Sequence, residues 1–204
     1  MPKVKRMTYS AHRKNWQACD KCELCHSRRN IVLARGQLNP CHVLFIGEAP
    51  GTSEDMFGKP FTGPAGHLLD DMIEDAGFDS QGIRWAFTNL VACIPKESRS
   101  GRKVHEPHKE HIKACRQRLS EFLKLANPLG IVRVGTLATK HVDKSLLLES
   151  CVKLSGLFDI THPAAILRSG PHDTIMIKRC VVILQDVVRT VLQLKESQNA
   201  KKKG

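Results

Sequence analysis

Three cysteines of the segment "ACDKCELC" stand at positions 19, 22 and 25, with two residues between neighbours. Thiolates at that spacing on a turn can share one metal ion or cluster, and cysteines from elsewhere in the chain can complete four ligands. Cys93, after an apolar run, and Cys115, on a long helical pattern, are available for that. A zinc site usually pairs two C-x-x-C turns. One clear turn plus two scattered cysteines fits an iron–sulfur cluster better. Cys41, Cys151 and Cys180 sit in apolar surroundings and read as small buried hydrophobes. A second stretch with chemical potential is "GEAPGTSEDMFGKPFTGPAG", Gly47 to Gly66, rich in glycine and proline. A loop this long and irregular usually folds around a ligand, and its glycines let backbone N–H groups come close to it.

The surrounding pattern says what must position these groups. "HVLFIG", "RWAFTNLV", "GIVRVG" and "GLFDITH" read as strands. Between them lie helices: Pro64–Ala76, with proline in the first turn and Gly77 after the end; "PHKEHIKACRQRLSEFLKLA"; the short "TLATKHV"; and a last helix over 173–195. Alternating strands and helices predict an α/β fold, a three-layer α/β/α sandwich around a four-stranded parallel sheet. In such sheets ligands bind beyond the carboxyl ends of the strands, which points to Gly47–Phe61, Asn89–Cys93, Gly135 and His162–Arg168. Residues 1–204 are expected to form one domain, with 1–15 a loosely ordered basic arm and 196–204 a polar, lysine-rich tail.

With 32 Lys and Arg against 20 Asp and Glu, the net charge is +12. That balance suits a polyanionic partner, since neutralising phosphates releases counterions. No apolar run reaches the ~18 residues a membrane helix needs, and no basic amphipathic helix with an aromatic face stands out. The N-terminus lacks the apolar core of a secretory signal. The expectation is a monomer in the cytoplasm, with no membrane partner.

Taken together, "GEAPGTSEDMFGKPFTGPAGHLLDDMI", "TNLVAC", "CRQRL" and "HPAAILR" resemble the family 4 uracil-DNA glycosylases, the iron–sulfur branch of the uracil-DNA glycosylase superfamily. The resemblance runs from about Cys19 to Arg168. It implies excision of uracil from single- or double-stranded DNA by a monofunctional hydrolase, and a [4Fe–4S] cluster on Cys19, Cys22, Cys93 and Cys115, with Cys25 a neighbour. It also implies that Glu48 places the attacking water, that Phe61 stacks on a flipped base and that Asn89 reads the uracil edge. His162 matches the histidine of the second motif, and Gly47, Ala49, Pro50 and Gly51 line the substrate. These residue types suit the task. An amide offers one acceptor and two donors, which match uracil N3–H and O4 and mismatch cytosine.

The match departs in places. Cys93 and Cys115 enclose a basic, histidine-rich insertion, "KESRSGRKVHEPHKEH". It loosely resembles a loop of the UdgX branch, whose histidine attacks the sugar and stays bound to DNA; His105 is the matching position. Ala49 keeps the family 4 form of the first motif, which favours hydrolysis. Under that reading His105, Arg102, Lys103 and Arg168 contact DNA. Thr62 stands where valine is common, and "CIPK" replaces a usual Arg-Pro-Pro sequence. A relative acting on another modified base and a non-catalytic zinc-containing DNA-binding module are the remaining alternatives.

Overall fold

The structure, a computed structural model, describes residues 7–101, 103–152, 156–170 and 173–203, with side chains to residue 200. In chain order the elements are α1 (Tyr9–Trp16), α2 (Leu24–Ser27), β1 (Arg35–Gly36), β2 (Val43–Gly47), α3 (Thr52–Phe57) and α4 (Pro64–Asp75). Then follow β3 (Trp85–Asn89), α5 (Lys109–Ala126), β4 (Gly130–Val134), α6 (Thr136–His141), α7 (Lys144–Glu149), β5 (Gly156–Ile160), α8 (Pro163–Ser169) and α9 (Thr174–Lys203).

The sheet order is β1-β3-β2-β4-β5. Four strands are parallel, as the alternating pattern requires, and the two-residue β1 adds an antiparallel edge beside β3. The sheet therefore has five strands where four were expected. The extra one is too short to leave a period-two signal. The chain leaves β2 for β3 on one side and later returns to β4 on the other, so the order reverses between β2 and β4, where α/β sheets open a crevice.

Strand residues alternate between two cores. Leu44, Ile46, Ala86 and Ile131 face one side, where Trp16 of α1 and Ile112, Leu119, Phe122 and Leu123 of α5 cover them. Val43, Phe45, Phe87, Val132 and Val134 face the other, against Leu69, Met72 and Ile73 of α4 and Leu184, Val187 and Val191 of α9. α4 starts with proline, whose missing N–H costs nothing in a first turn. α5 ends at Asn127 in the left-handed conformation, φ 41°.

Three expectations are corrected. The basic arm is ordered from Tyr9 as α1, capped by the Thr8 hydroxyl, which accepts from Ala11 N–H at 3.2 Å. α1 is held by its apolar face: Trp16 is buried and its indole N–H donates to Glu121 Oε2 at 2.7 Å. The tail is the solvated end of α9, which continues to Lys203 beyond residue 195. Cys151 is exposed, with φ 50°, because it follows α7 in a turn; Cys41 and Cys180 are buried as expected.

If α1 is an integral part of the core, Trp16→Ala should destabilise the protein by about 3–5 kcal/mol, the usual range for deleting a buried large aromatic. Urea unfolding should show an earlier midpoint. An unchanged midpoint would mean that α1 contributes nothing to the fold.

Candidate active site

Between β2 and α4 the chain is held by its own carboxylates. Glu54 Oε2 accepts from Gly51 N–H at 3.0 Å, and Oε1 accepts from Thr62 N–H at 2.9 Å and Gly63 N–H at 2.8 Å. Asp55, buried, accepts from Arg29 N–H at 2.8 Å and Asn30 N–H at 3.2 Å. The loop thus contains α3, with Gly51 and Glu54 at the Ncap and N3 positions. Glu54 supplies the reach-back half of a capping box; Gly51 has no side chain for the other half, so the sequence carries no such signature.

Phe61 is built with strain. Its φ is 55°, unusual for an aromatic residue. Arg35 on β1 holds it, donating from Nε to Pro60 C=O at 2.7 Å and from Nη2 to Phe61 C=O at 3.0 Å. The same guanidinium grips both Asp70 oxygens at 2.8 and 2.9 Å and lies 3.9 Å from the Phe87 ring. Gly66 must lack a side chain, because a Cβ there would meet Phe61 O at 2.0 Å. No local sequence signal marks Arg35 for this task. Its partners are 25 to 35 residues away.

A cleft of about 940 Å³ opens beyond the carboxyl ends of β2, β4 and β5. Strand register places Gly47 beside Asn89. A Cβ on Gly47 would lie 2.5 Å from Asn89 Oδ1 and 2.5 Å from the Phe61 ring, so amide and ring close over a bare backbone. Among the described residues the Asn89 amide makes no hydrogen bond to protein and is free for a ligand. Opposite stands His162, whose ring is 6.3 Å from that of Phe61 at 25°. Gly135 at the end of β4 makes room for it: a Cβ there would meet His162 Cβ at 2.9 Å.

His162 caps α8, and its Nδ1 accepts from Ala164 N–H at 3.1 Å. The neutral ring therefore carries its proton on Nε2. Burial, with Arg168 second, lowers its pKa below the ordinary histidine value, against a weaker pull from Glu54. Glu48 also lines the cleft and makes no side-chain hydrogen bond among the described residues. Burial raises its pKa, Glu106 adds to the rise and Arg168 opposes it. Ala49, Pro50, Gly51, Arg168 and His105 share the cleft wall. His105 Nε2 is 3.5 Å from Glu97 Oε1, and its N–H donates to Pro95 C=O at 2.9 Å. Lys103 is exposed, and Arg102 lies outside the described residues. Glu106 and Lys140 also line the cleft without having been singled out from sequence.

On the far side of β3, Cys93 and Cys115 are buried in one core cluster with Cys19 and Cys22 packed against it; Cys25 is not part of that packing. The turn carrying Cys19 and Cys22 is tied to α5. His111 Nδ1 accepts from His108 N–H at 3.1 Å, so its Nε2–H donates to Glu23 at 2.6 Å. Lys21 donates to Gln117 at 2.8 Å. Arg28 approaches Cys93 Sγ at 3.6 Å. Burial pushes the Cys93 thiol up to about 12, so as a free thiol it is protonated at neutral pH. Among the described residues, no three His, Cys, Asp or Glu side chains are grouped tightly enough for a single metal ion.

A family model described as "Uracil DNA glycosylase superfamily" matches residues 35–185. The type-4 uracil-DNA glycosylase of Saccharolobus solfataricus is 33% identical over 169 residues, covering 75% of this chain and 74% of that protein. The type-4 enzyme of Archaeoglobus fulgidus is 30% identical over 165 residues, covering 74% and 78% respectively. The crystal structure of SMUG2 from Pedobacter heparinus superposes with a TM-score of 0.51 at 14% identity, covering 78% of this chain and 77% of that one, a likeness of fold.

Two carboxylates of one loop should respond in opposite ways to neutralisation. Glu54→Gln replaces an acceptor of three N–H groups and should cost about 2–4 kcal/mol of stability, since hydrogen bonds to charged groups are the strong ones. Glu48→Gln removes a charge that burial and Glu106 disfavour, and should leave stability unchanged or raise it at neutral pH. Chemical denaturation of both variants checks the contrast. Equal losses would contradict it.

Proposed function

The chain belongs to the uracil-DNA glycosylase superfamily, alongside its type-4 members, and on that premise we propose that it excises uracil from DNA by hydrolysing the N-glycosidic bond, leaving an abasic site. The observation that carries this reading is the arrangement across Gly47: a free amide and an aromatic face on one wall, a neutral imidazole on the other. The base must leave the stack to reach such a cleft, at a cost of a few kcal/mol, and stacking on Phe61 offsets part of it. The Asn89 amide accepts from uracil N3–H and donates to O4. Cytosine offers the reversed pattern and is refused.

Bond cleavage places positive charge on the sugar and negative charge on the departing uracil. His162, with Nε2–H directed by the bond its Nδ1 accepts, donates to that anion. Glu48 in its ionised form orients water on the sugar side. The net charge of +12 supplies affinity for the backbone.

Cys19, Cys22, Cys93 and Cys115 are the residues that would hold a [4Fe–4S] cluster. All four lie in or against one apolar core cluster, with Arg28 3.6 Å from Cys93 Sγ, a setting that suits a thiolate-bound centre of net negative charge. A cluster spreads its thiolates wider than a single ion does, in keeping with the lack of a tight mononuclear group among the described residues. When bound it supplies a cross-link between the N-terminal turn, the segment after β3 and α5, together with negative charge.

A second reading rests on His105, which lines the same cleft with Nε2 beside Glu97. In it the imidazole attacks the sugar carbon as uracil departs, Glu97 takes the proton and the protein stays bound to DNA. Retention of Ala49 favours hydrolysis.

Incubation with uracil-containing oligonucleotides separates the readings. Hydrolysis predicts abasic product over many turnovers and near-normal rates for His105→Ala. Asn89→Asp and His162→Ala should each lose about 100-fold or more. A protein–DNA band on a denaturing gel, absent in His105→Ala, would establish trapping instead. Absence of both product and adduct would refute the proposed activity.

The pH profile gives a further check. Activity needs Glu48 ionised and His162 neutral, so the rate rises with pH through both groups. Arg168 lowers the pKa of each. Arg168→Ala should therefore shift the acid limb of the single-turnover rate, at saturating DNA, to higher pH. An unmoved limb would remove Arg168 from the electrostatics of the cleft.

A further inference from the structure

Arg118 sits on α5, one turn after Cys115, and is 1% exposed. Its guanidinium reaches the end of β3. Nη1 donates to Thr88 Oγ1 at 3.0 Å, and Nη2 donates to Leu90 C=O at 3.0 Å and also to Asn89 C=O. Nε has no partner within hydrogen-bond distance among the described residues. No carboxylate forms an ion pair with it among the described residues. A buried cation without a counter-ion is among the costliest features a core can hold. Cys115, one turn earlier on α5, and Cys93 are buried in the core cluster against which Cys19 packs. Arg118 thus links the helix that carries Cys115 to the backbone of the base-reading strand end.

We infer that Arg118 is a positioning residue that takes its counter-charge from the metal-loaded cysteines and uses it to hold Asn89 against Gly47, so that loading of the metal centre sets the geometry of the cleft. This inference rests on the proposed cluster and on the proposed role of Asn89. The physical argument is charge balance. With no carboxylate partner among the described residues, Arg118 depends on the four cysteines for a counter-charge. Thiolates bound to iron supply negative charge at the same positions. The guanidinium then stays buried and keeps its grip on Thr88, Asn89 and Leu90. Without that charge the grip loosens. Leu90 N–H and Val91 N–H donate to Gly47 C=O at 2.9 Å and Glu48 C=O at 3.0 Å, so a shift of the strand end reaches the backbone of Gly47 and Glu48.

The experiment compares wild type, Arg118→Met and Arg118→Lys, each loaded and after oxidative removal of the cluster. Iron and acid-labile sulfide are measured first, and they test the cofactor reading by itself. Arg118→Met removes a buried cation beside the centre, so its cluster should have a more negative reduction potential, whereas Arg118→Lys should keep the wild-type value. Amide exchange over residues 85–92 should accelerate about tenfold or more when wild type loses its cluster. In Arg118→Met it should already be fast in the loaded protein and change little on removal. Arg118→Lys, with one ammonium in place of a fork, should keep the cluster but lose protection over the same segment. If iron is present and the potential and the exchange pattern are the same in all three proteins, the coupling is overturned while the cofactor reading stands. If Arg118→Met fails to fold, the lysine variant and the wild-type exchange comparison still decide it. Wild type that carries no iron overturns both.

Discussion

The candidate cleft depends on a single carboxylate with three backbone partners. Glu54 gathers Gly51, Thr62 and Gly63 around itself, and by doing so closes a long loop without regular ladder bonds. Backbone N–H groups left unpaired in such a loop would cost more than the loop gains from burying Phe61. With Glu54 in place, the chain can arrive at Phe61 in a left-handed conformation, and Arg35 and the bare Gly66 make that conformation tolerable. The Phe61 ring is where it is because charge and missing side chains hold it there, not because an aromatic prefers that backbone.

The charges left over are those with work to do. Glu54, Asp55 and Asp70 are tied to N–H groups or to Arg35. Glu48 is half-buried and free, with a pKa raised by burial and by Glu106. His162 is half-buried, and its ring nitrogens differ: one accepts from a backbone N–H, and the other has no hydrogen bond among the described residues. Arg118 is a cation in the core, one turn from Cys115 and bound to the carbonyls at the end of β3. Such unbalanced groups lower stability and persist where binding or chemistry uses them.

Much was legible in the chain. The four parallel strands and the helices α4, α5 and α9 follow from apolar periodicity and from Pro64 and Gly77, because long amphipathic segments announce themselves locally. α1, α3, α7 and α8 were not legible, since helices of six to eight residues carry few apolar positions to show a period, although the equally short α6 was. The N-terminal segment looked like a loosely ordered arm because its composition is basic, yet Trp16, with Tyr9 packed on the same core, anchors α1. Cys151 looked buried from its neighbours in sequence and is exposed because the chain turns there.

By itself the sequence determined the class of fold, the family and the set of residue types at the strand ends, because these depend on local pattern and on motifs of contiguous residues. Only the tertiary structure decided how they meet. The register of β2 on β3 puts Asn89 next to Gly47, and the crossing of the chain brings Gly135 under His162. Arg35, Glu106 and Arg118 gained their significance from partners far along the chain or across the cleft. Contact, burial and charge balance are properties of positions in space, and no spacing along the chain encodes them.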